Sequence, residues 1–111
     1  MTVFGVEIYV IKPEKQAEFK AYKKKWEKFF EYKEGHIQRF EGVKSYKLFA
    51  QMLGGNVGGY VEMWEFENLA ALEKFFNKVM QSDYATKLSP EFMNLIVPAT
   101  YSMNVWNSVE V

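Results

Sequence analysis

The stretch Tyr60-Val61-Glu62-Met63-Trp64-Glu65-Phe66-Glu67-Asn68-Leu69-Ala70-Ala71-Leu72-Glu73-Lys74-Phe75-Phe76 changes its period in the middle. Up to Glu67 the side chains sort two by two. Tyr60, Glu62, Trp64 and Phe66 fall on one side, and Val61, Met63, Glu65 and Glu67 on the other, which is the repeat of a strand. Beyond Asn68 the apolar positions Leu69, Leu72, Phe75, Phe76, Val79 and Met80 recur at three and four, the repeat of a helix. Asn68 stands at the junction, where its short amide can accept from the unpaired N–H groups of a first helical turn. A strand passing straight into a helix is half of a β-α unit, and the rest of the chain supplies the other half.

Upstream, Gly54-Gly55-Asn56-Val57-Gly58-Gly59 is a hairpin loop by its glycines, which allow the positive φ angles such a turn needs. A phosphate-cradling loop is the rival reading, but no Lys-Ser/Thr pair and no helix follow it. Before the loop, Val43 to Leu53 alternates as a second strand near a sheet edge. At the N-terminus, Val3 to Ile11 alternates with both sides largely apolar, which marks a central strand covered on both faces. Pro13 then suits a first helical turn, and Glu14 and Glu18 complement its positive end. That helix is predicted from Pro13 to about Glu34, with a buried stripe of Phe19, Tyr22, Trp26, Phe29 and Phe30. Lys23, Lys24, Lys25 and Lys28 are interleaved with Glu27 and Glu31 and read as a solvated face. Gly35 is the predicted stop, with one further turn over His36 to Glu41. Towards the C-terminus, Ser82-Asp83 caps a short turn, Pro90 to Ile96 forms another, Pro98 closes the helical region, and Tyr101 to about Val109 alternates as the last strand.

The order is β-α-β-β-α-β, a ferredoxin-like α+β domain spanning residues 1–111. Right-handed crossovers place both helices on one face of a four-stranded antiparallel sheet in the order 4-1-3-2. Nothing in the chain covers the other face, yet either parity leaves large apolar groups there; the candidates are Tyr9, Ile11, Phe49, Leu53, Met63 and Trp106. Such a patch exceeds what monomers usually expose. Pairing two sheets face to face would hide it at about 25 cal/mol per Å2, so a homodimer closing into a barrel is expected, with a higher homo-oligomer also open.

Composition narrows the partners. The 111 residues carry no net charge, and Arg39 is the only arginine, so the arginine forks and positive field of a nucleic-acid binder are missing. There is no cysteine, which removes disulfides and thiolate chemistry. No apolar run approaches a bilayer span and the N-terminus enters a strand at once, so a cytoplasmic protein without a membrane partner is expected. Ten Phe, seven Tyr and three Trp are a heavy aromatic load for one small core, and point to a second buried surface, an interface or a ligand pocket.

Three segments are similar to the dimeric α+β barrel superfamily, which holds antibiotic-biosynthesis-monooxygenase-like small proteins. They are the opening strand ending in Lys12-Pro13, Phe40-Glu41-Gly42-Val43-Lys44-Ser45-Tyr46-Lys47-Leu48, and Trp64 to Glu73. The resemblance implies a pocket between sheet and helices. Haem-degrading members use an Asn in strand one, a Trp near the end of strand three and a His in helix two; aligned on Lys12-Pro13 and Asn68, those positions hold Val6, Phe66 and Phe76 here. Trp64 lies two residues before the expected Trp. The resemblance therefore implies no haem or other cofactor, and it leaves a cofactor-free oxygenase acting on aromatic substrates among the activities.

Among single residues, Glu62 shares a strand side with Tyr60, Trp64 and Phe66, where burial would raise a carboxyl pKa; alternatively it reaches water or pairs with Lys47. Glu7 is the same case on the central strand and needs a partner such as Lys47 or Asn104. His36, the only histidine, excludes metal clusters and dyads built on several imidazoles and otherwise meets backbone carbonyls or solvent. Glu62, Glu7 and His36 are thus the catalytic candidates. Trp64, Phe66, Tyr22, Trp26 and Val6 are the ligand-binding ones, and no metal ligands stand out. The expected function is an aromatic-lined pocket for a small hydrophobic molecule with proton transfer by a carboxylate. The alternative is a binding or assembly module with no catalytic site.

Overall fold

β1 (Val3–Val10) lies inside a four-stranded antiparallel sheet, flanked by β5 (Gly59–Phe66) and β6 (Ser102–Asn107), with β4 (Val43–Ala50) beyond β5. The computed structural model describes residues 2–54 and 58–110. Counting these four strands alone, the order is the expected 4-1-3-2. The centre of the loop read as a hairpin, residues 55–57, lies outside the described residues; at its margins Gly54 and Gly58 both have positive φ.

Helices α1 (Gln16–Phe30), α2 (Leu69–Gln81), α3 (Tyr84–Lys87) and α4 (Ser89–Leu95) complete the fold. α2 starts where its cap says it should: the Asn68 side chain accepts from the Ala71 N–H at 2.9 Å. α1 ends earlier than periodicity suggests. Glu31 turns left-handed at φ 52°, and the expected turn over His36–Glu41 is replaced by a small hairpin of β2 (Tyr32–Lys33) and β3 (His36–Ile37). Its two turn residues, Glu34 and Gly35, both have positive φ, the conformation that tight hairpins require. Side-chain packing decides against helix here. The Tyr32 ring packs against Trp26 and Tyr46, Ile37 is buried, and the Tyr46 N–H donates to Gly35 carbonyl oxygen at 2.9 Å.

The structure also settles which side of each strand faces the helices. Glu7 is directly opposite Glu62, Gly5 opposite Trp64, and Val3 opposite Phe66; these residues, with Tyr46 of β4 and Met103 of β6, belong to the helix side. Tyr9 and Ile11, candidates for the uncovered face, belong there too and are fully buried in the core. Leu53 lies past the end of β4 and is exposed. By alternation, the uncovered face holds Phe4, Val6, Ile8 and Val10 of β1, with Met63, Phe49 and Trp106, so its apolar character stands while its membership changes. The sheet of this chain is open and does not close into a barrel on its own. Among the described residues, no helix is long and apolar enough to cross a membrane.

Candidate functional site

Two carboxylates directly opposite on neighbouring inner strands repel unless cations, hydrogen bonds or a proton intervene. Glu7 and Glu62 solve this differently. Glu62 is 5% exposed and takes three donors. The Tyr9 hydroxyl donates to its Oε2 at 2.6 Å, the Tyr46 hydroxyl donates to Oε1, and Lys23 Nζ reaches Oε1 at 3.4 Å. Lys23 also donates to the Tyr46 hydroxyl at 2.9 Å and sits 3.4 Å from the Trp26 ring centroid, where the ring face attracts a cation. Burial lowers the Lys23 ammonium from its usual range, with the charge of Glu62 opposing. Burial and the same carboxylate raise the Tyr9 and Tyr46 hydroxyls, so both remain donors.

Among the described residues, Glu7 has no cation at hydrogen-bond distance. Trp64 Nε1 donates to its Oε2 at 2.7 Å and the Tyr101 hydroxyl to its Oε1 at 2.6 Å. Burial first, and the charge of Glu62 second, push its carboxyl up to about 7, against the pull of the Tyr101 and Trp64 hydrogen bonds and of Lys23. One carboxylate of the pair is thus pinned by a buried ammonium, and the other is poised to take or release a proton near neutrality.

Both line a cavity of about 420 Å3 between sheet and helices. Glu7, Glu62 and Trp64 form its sheet side, Tyr22, Trp26 and Phe76 belong to its helix side, and Met80, Met93 and Met103 lie around it part-exposed. Tyr22 and Tyr84 are also on the lining, and burial raises both hydroxyls.

Of the residues singled out by sequence, the structure brings Glu7, Glu62, Tyr22, Trp26 and Trp64 together at this cavity. Phe66 packs behind it, against Phe75 and Phe76. Val6 points to the opposite sheet face, so the alignment that put Val6 at the pocket is one residue out of phase; Gly5 and Glu7 occupy the pocket side of β1. His36 is exposed on β3 and lines, with Tyr32 and Lys47, a separate open depression away from the carboxylates. The partners foreseen for the carboxylates, Lys47 and Asn104, lie on the far side of the sheet. Sequence reading missed Lys23, Tyr9, Tyr46 and Tyr101. Lys23 carried a signal: it is four residues after Phe19 and three before Trp26, inside the apolar stripe rather than on the solvated face.

No imidazole lines the cavity to ligate a haem iron, and the described residues contain no group of three or more His, Cys, Asp or Glu side chains able to hold a metal. The donor set fits neither group.

This sheet order, with the helices on one face, is the fold of the antibiotic-biosynthesis-monooxygenase-like and NIPSNAP proteins. Among solved structures, an antibiotic biosynthesis monooxygenase superposes with a TM-score of 0.67 at 16% identity, over 97% of this chain and 99% of that one. A NIPSNAP family protein from Agrobacterium tumefaciens gives 0.70 at 13%, over 99% and 95%. SnoaB, a cofactor-independent oxygenase from Streptomyces nogalater, gives 0.66 at 15%, over 99% and 95%. No family model and no curated protein matches the chain by sequence. At these identities the likeness shows the fold alone.

Proposed function

We propose that this protein is a cytoplasmic homodimeric enzyme that binds a small apolar molecule in the cavity and moves a proton on it with Glu7, without metal or organic cofactor. The observation that carries the reading is a carboxyl pushed up to about 7, on the lining of an apolar cavity of about 420 Å3. A base works best when its pKa lies near the operating pH. Glu62 is the wrong choice for that role, because its oxygens are already committed to Lys23, Tyr9 and Tyr46; it sets the field in which Glu7 titrates. Trp64 and Tyr101 orient the Glu7 carboxyl. SnoaB shares the fold and is a cofactor-independent oxygenase, so proton abstraction ahead of reaction with dioxygen is the form of this chemistry that the fold favours. The cavity counts against an assembly module with a filled core, and turnover separates an enzyme from a binding module.

The test uses 5-nitrobenzisoxazole, a flat aromatic that loses its ring C–H proton to a carboxylate as its N–O bond breaks, releasing a coloured phenolate. Acceleration well beyond an equal concentration of free acetate, rising with pH through about 7, is the expected result. Binding without acceleration would leave the alternative module as the better reading.

The homodimer rests on the uncovered face of the sheet. Ile8→Lys places an ammonium on the central strand of that face, where pairing two sheets would strip it of water. Light scattering should give twice the chain mass for the wild type and a single chain mass for the variant, with unchanged far-ultraviolet circular dichroism. A monomeric wild type at high concentration would end the dimer.

A further inference from the structure

Gly5 sits inside the central strand with no positive φ to require it. A glycine there weakens the strand and commonly marks a place where something approaches the backbone closely. Here the approaching group is a side chain of the same protein. A Cβ at Gly5 would lie 3.0 Å from Met103 Cε, 3.4 Å from a Phe76 ring carbon and 3.5 Å from Leu72 Cδ1. Met103 starts on β6 opposite Glu7, while Gly5 is opposite Val105, so the thioether reaches diagonally along β1 to lie over the bare backbone. Leu72, Phe76 and Met103 all line the cavity, and Met103 is 38% exposed. Unlike the Phe76 ring beside it, it is an unbranched, flexible side chain with somewhere to go.

We infer that Met103 is a displaceable plug. Its thioether fills a slot floored by Gly5 and walled by Leu72 and Phe76, and when it swings outward the cavity lengthens along β1 from Glu7 towards Gly5. Met103 then sets the length of the molecule the cavity accepts, and short and long ligands meet two different sites. This rests on the reading that the cavity takes a small apolar molecule. It adds a size-determining residue that makes no hydrogen bond to either carboxylate.

Two phenols separate the ideas, with quenching of tryptophan fluorescence as the readout because Trp64 and Trp26 line the cavity. 4-Methylphenol is a short probe and 4-phenylphenol a rod-shaped long one. Met103→Ala removes the plug and should tighten 4-phenylphenol about tenfold or more, while 4-methylphenol changes by less than about threefold. Adding Gly5→Ala to that variant puts a methyl group into the slot and should reverse most of the gain for the long probe alone. Equal changes for both probes, or none for either, would make Met103 an ordinary wall and overturn the plug while leaving the cavity reading intact. Failure of the wild type and both variants to bind either phenol would overturn the cavity reading and the plug together.

Discussion

Glu7→Gln should lower the rate of 5-nitrobenzisoxazole opening at pH 8 by about 10²- to 10⁴-fold, the usual contribution of a positioned general base, and should make the protein more stable at that pH. Both effects have one origin. In the folded protein the Glu7 carboxyl holds its proton up to about 7, against a value of 4.5 without the fold. A carboxyl raised on folding binds protons more tightly in the native state. Its contribution to stability is therefore fully present below about 4.5 and is lost as pH rises through about 7. The loss has an upper bound of about 3 kcal/mol from the size of the shift. Glutamine keeps an acceptor for Trp64 or Tyr101, the Tyr101 hydroxyl can rotate to accept from the amide, and nothing has to ionise. Denaturant titrations at pH 5, 6, 7 and 8 should show wild-type stability falling across the series and the variant nearly level, with the two lines furthest apart at pH 8. A wild-type line without that slope would remove the raised carboxyl, and the proposed base with it. A site that is more stable without its reacting group is the expected trade between function and stability.

The architecture was legible because it rests on repeats. The change of period at Asn68, the apolar alternation of Val3 to Ile11 and the aromatic stripe of α1 each give an element, and the handedness of the crossovers gives the strand order. The end of α1 was not legible. Tyr32 and Ile37 leave the helix for contacts with Trp26, Tyr46 and the neighbouring core, and tertiary packing of that kind leaves little trace in a local pattern. The parity of the sheet was hidden for a related reason: both sides of β1 are apolar, so period two alone cannot say which one the helices cover. That ambiguity is why Tyr9 and Ile11 stand among the candidates for the uncovered face and Lys47 and Asn104 among the possible partners; Val6 comes instead from an alignment on Lys12-Pro13 that is one residue out of phase. The carboxylates themselves were visible as charges out of place among rings. Besides Tyr9 and Trp64 on the same two strands, their partners are Lys23 of α1, Tyr46 of β4 and Tyr101 just before β6, which only the assembled fold brings to them.

Glu62→Ala should cost about 3–5 kcal/mol in denaturant unfolding, the usual penalty for removing one member of a buried ion pair. The lost attraction is the smaller part. Lys23 would be left as a buried ammonium with the Trp26 ring and the Tyr46 hydroxyl as its company, and the Tyr9 and Tyr46 hydroxyls would lose their acceptor. If the cost is that of stranding a cation, removing the cation should return much of it. Lys23→Met/Glu62→Gln keeps an amide oxygen for the tyrosines, replaces the ammonium by an apolar chain of similar length, and should be markedly more stable than Glu62→Ala; a double variant no more stable than the single one would show that the pair is not what holds this part of the core. The same substitutions act on Glu7 from a distance. The charge of Glu62 raises the Glu7 carboxyl and that of Lys23 lowers it. Glu62→Gln, which leaves Lys23 in place, should therefore move the midpoint of the pH–rate profile below the wild-type value, and Lys23→Met should move it above. Opposite displacements from two residues outside hydrogen-bond reach of the base would reveal a field acting on Glu7, because damage to packing alone would lower the rate without moving the midpoint in a direction set by the sign of the missing charge.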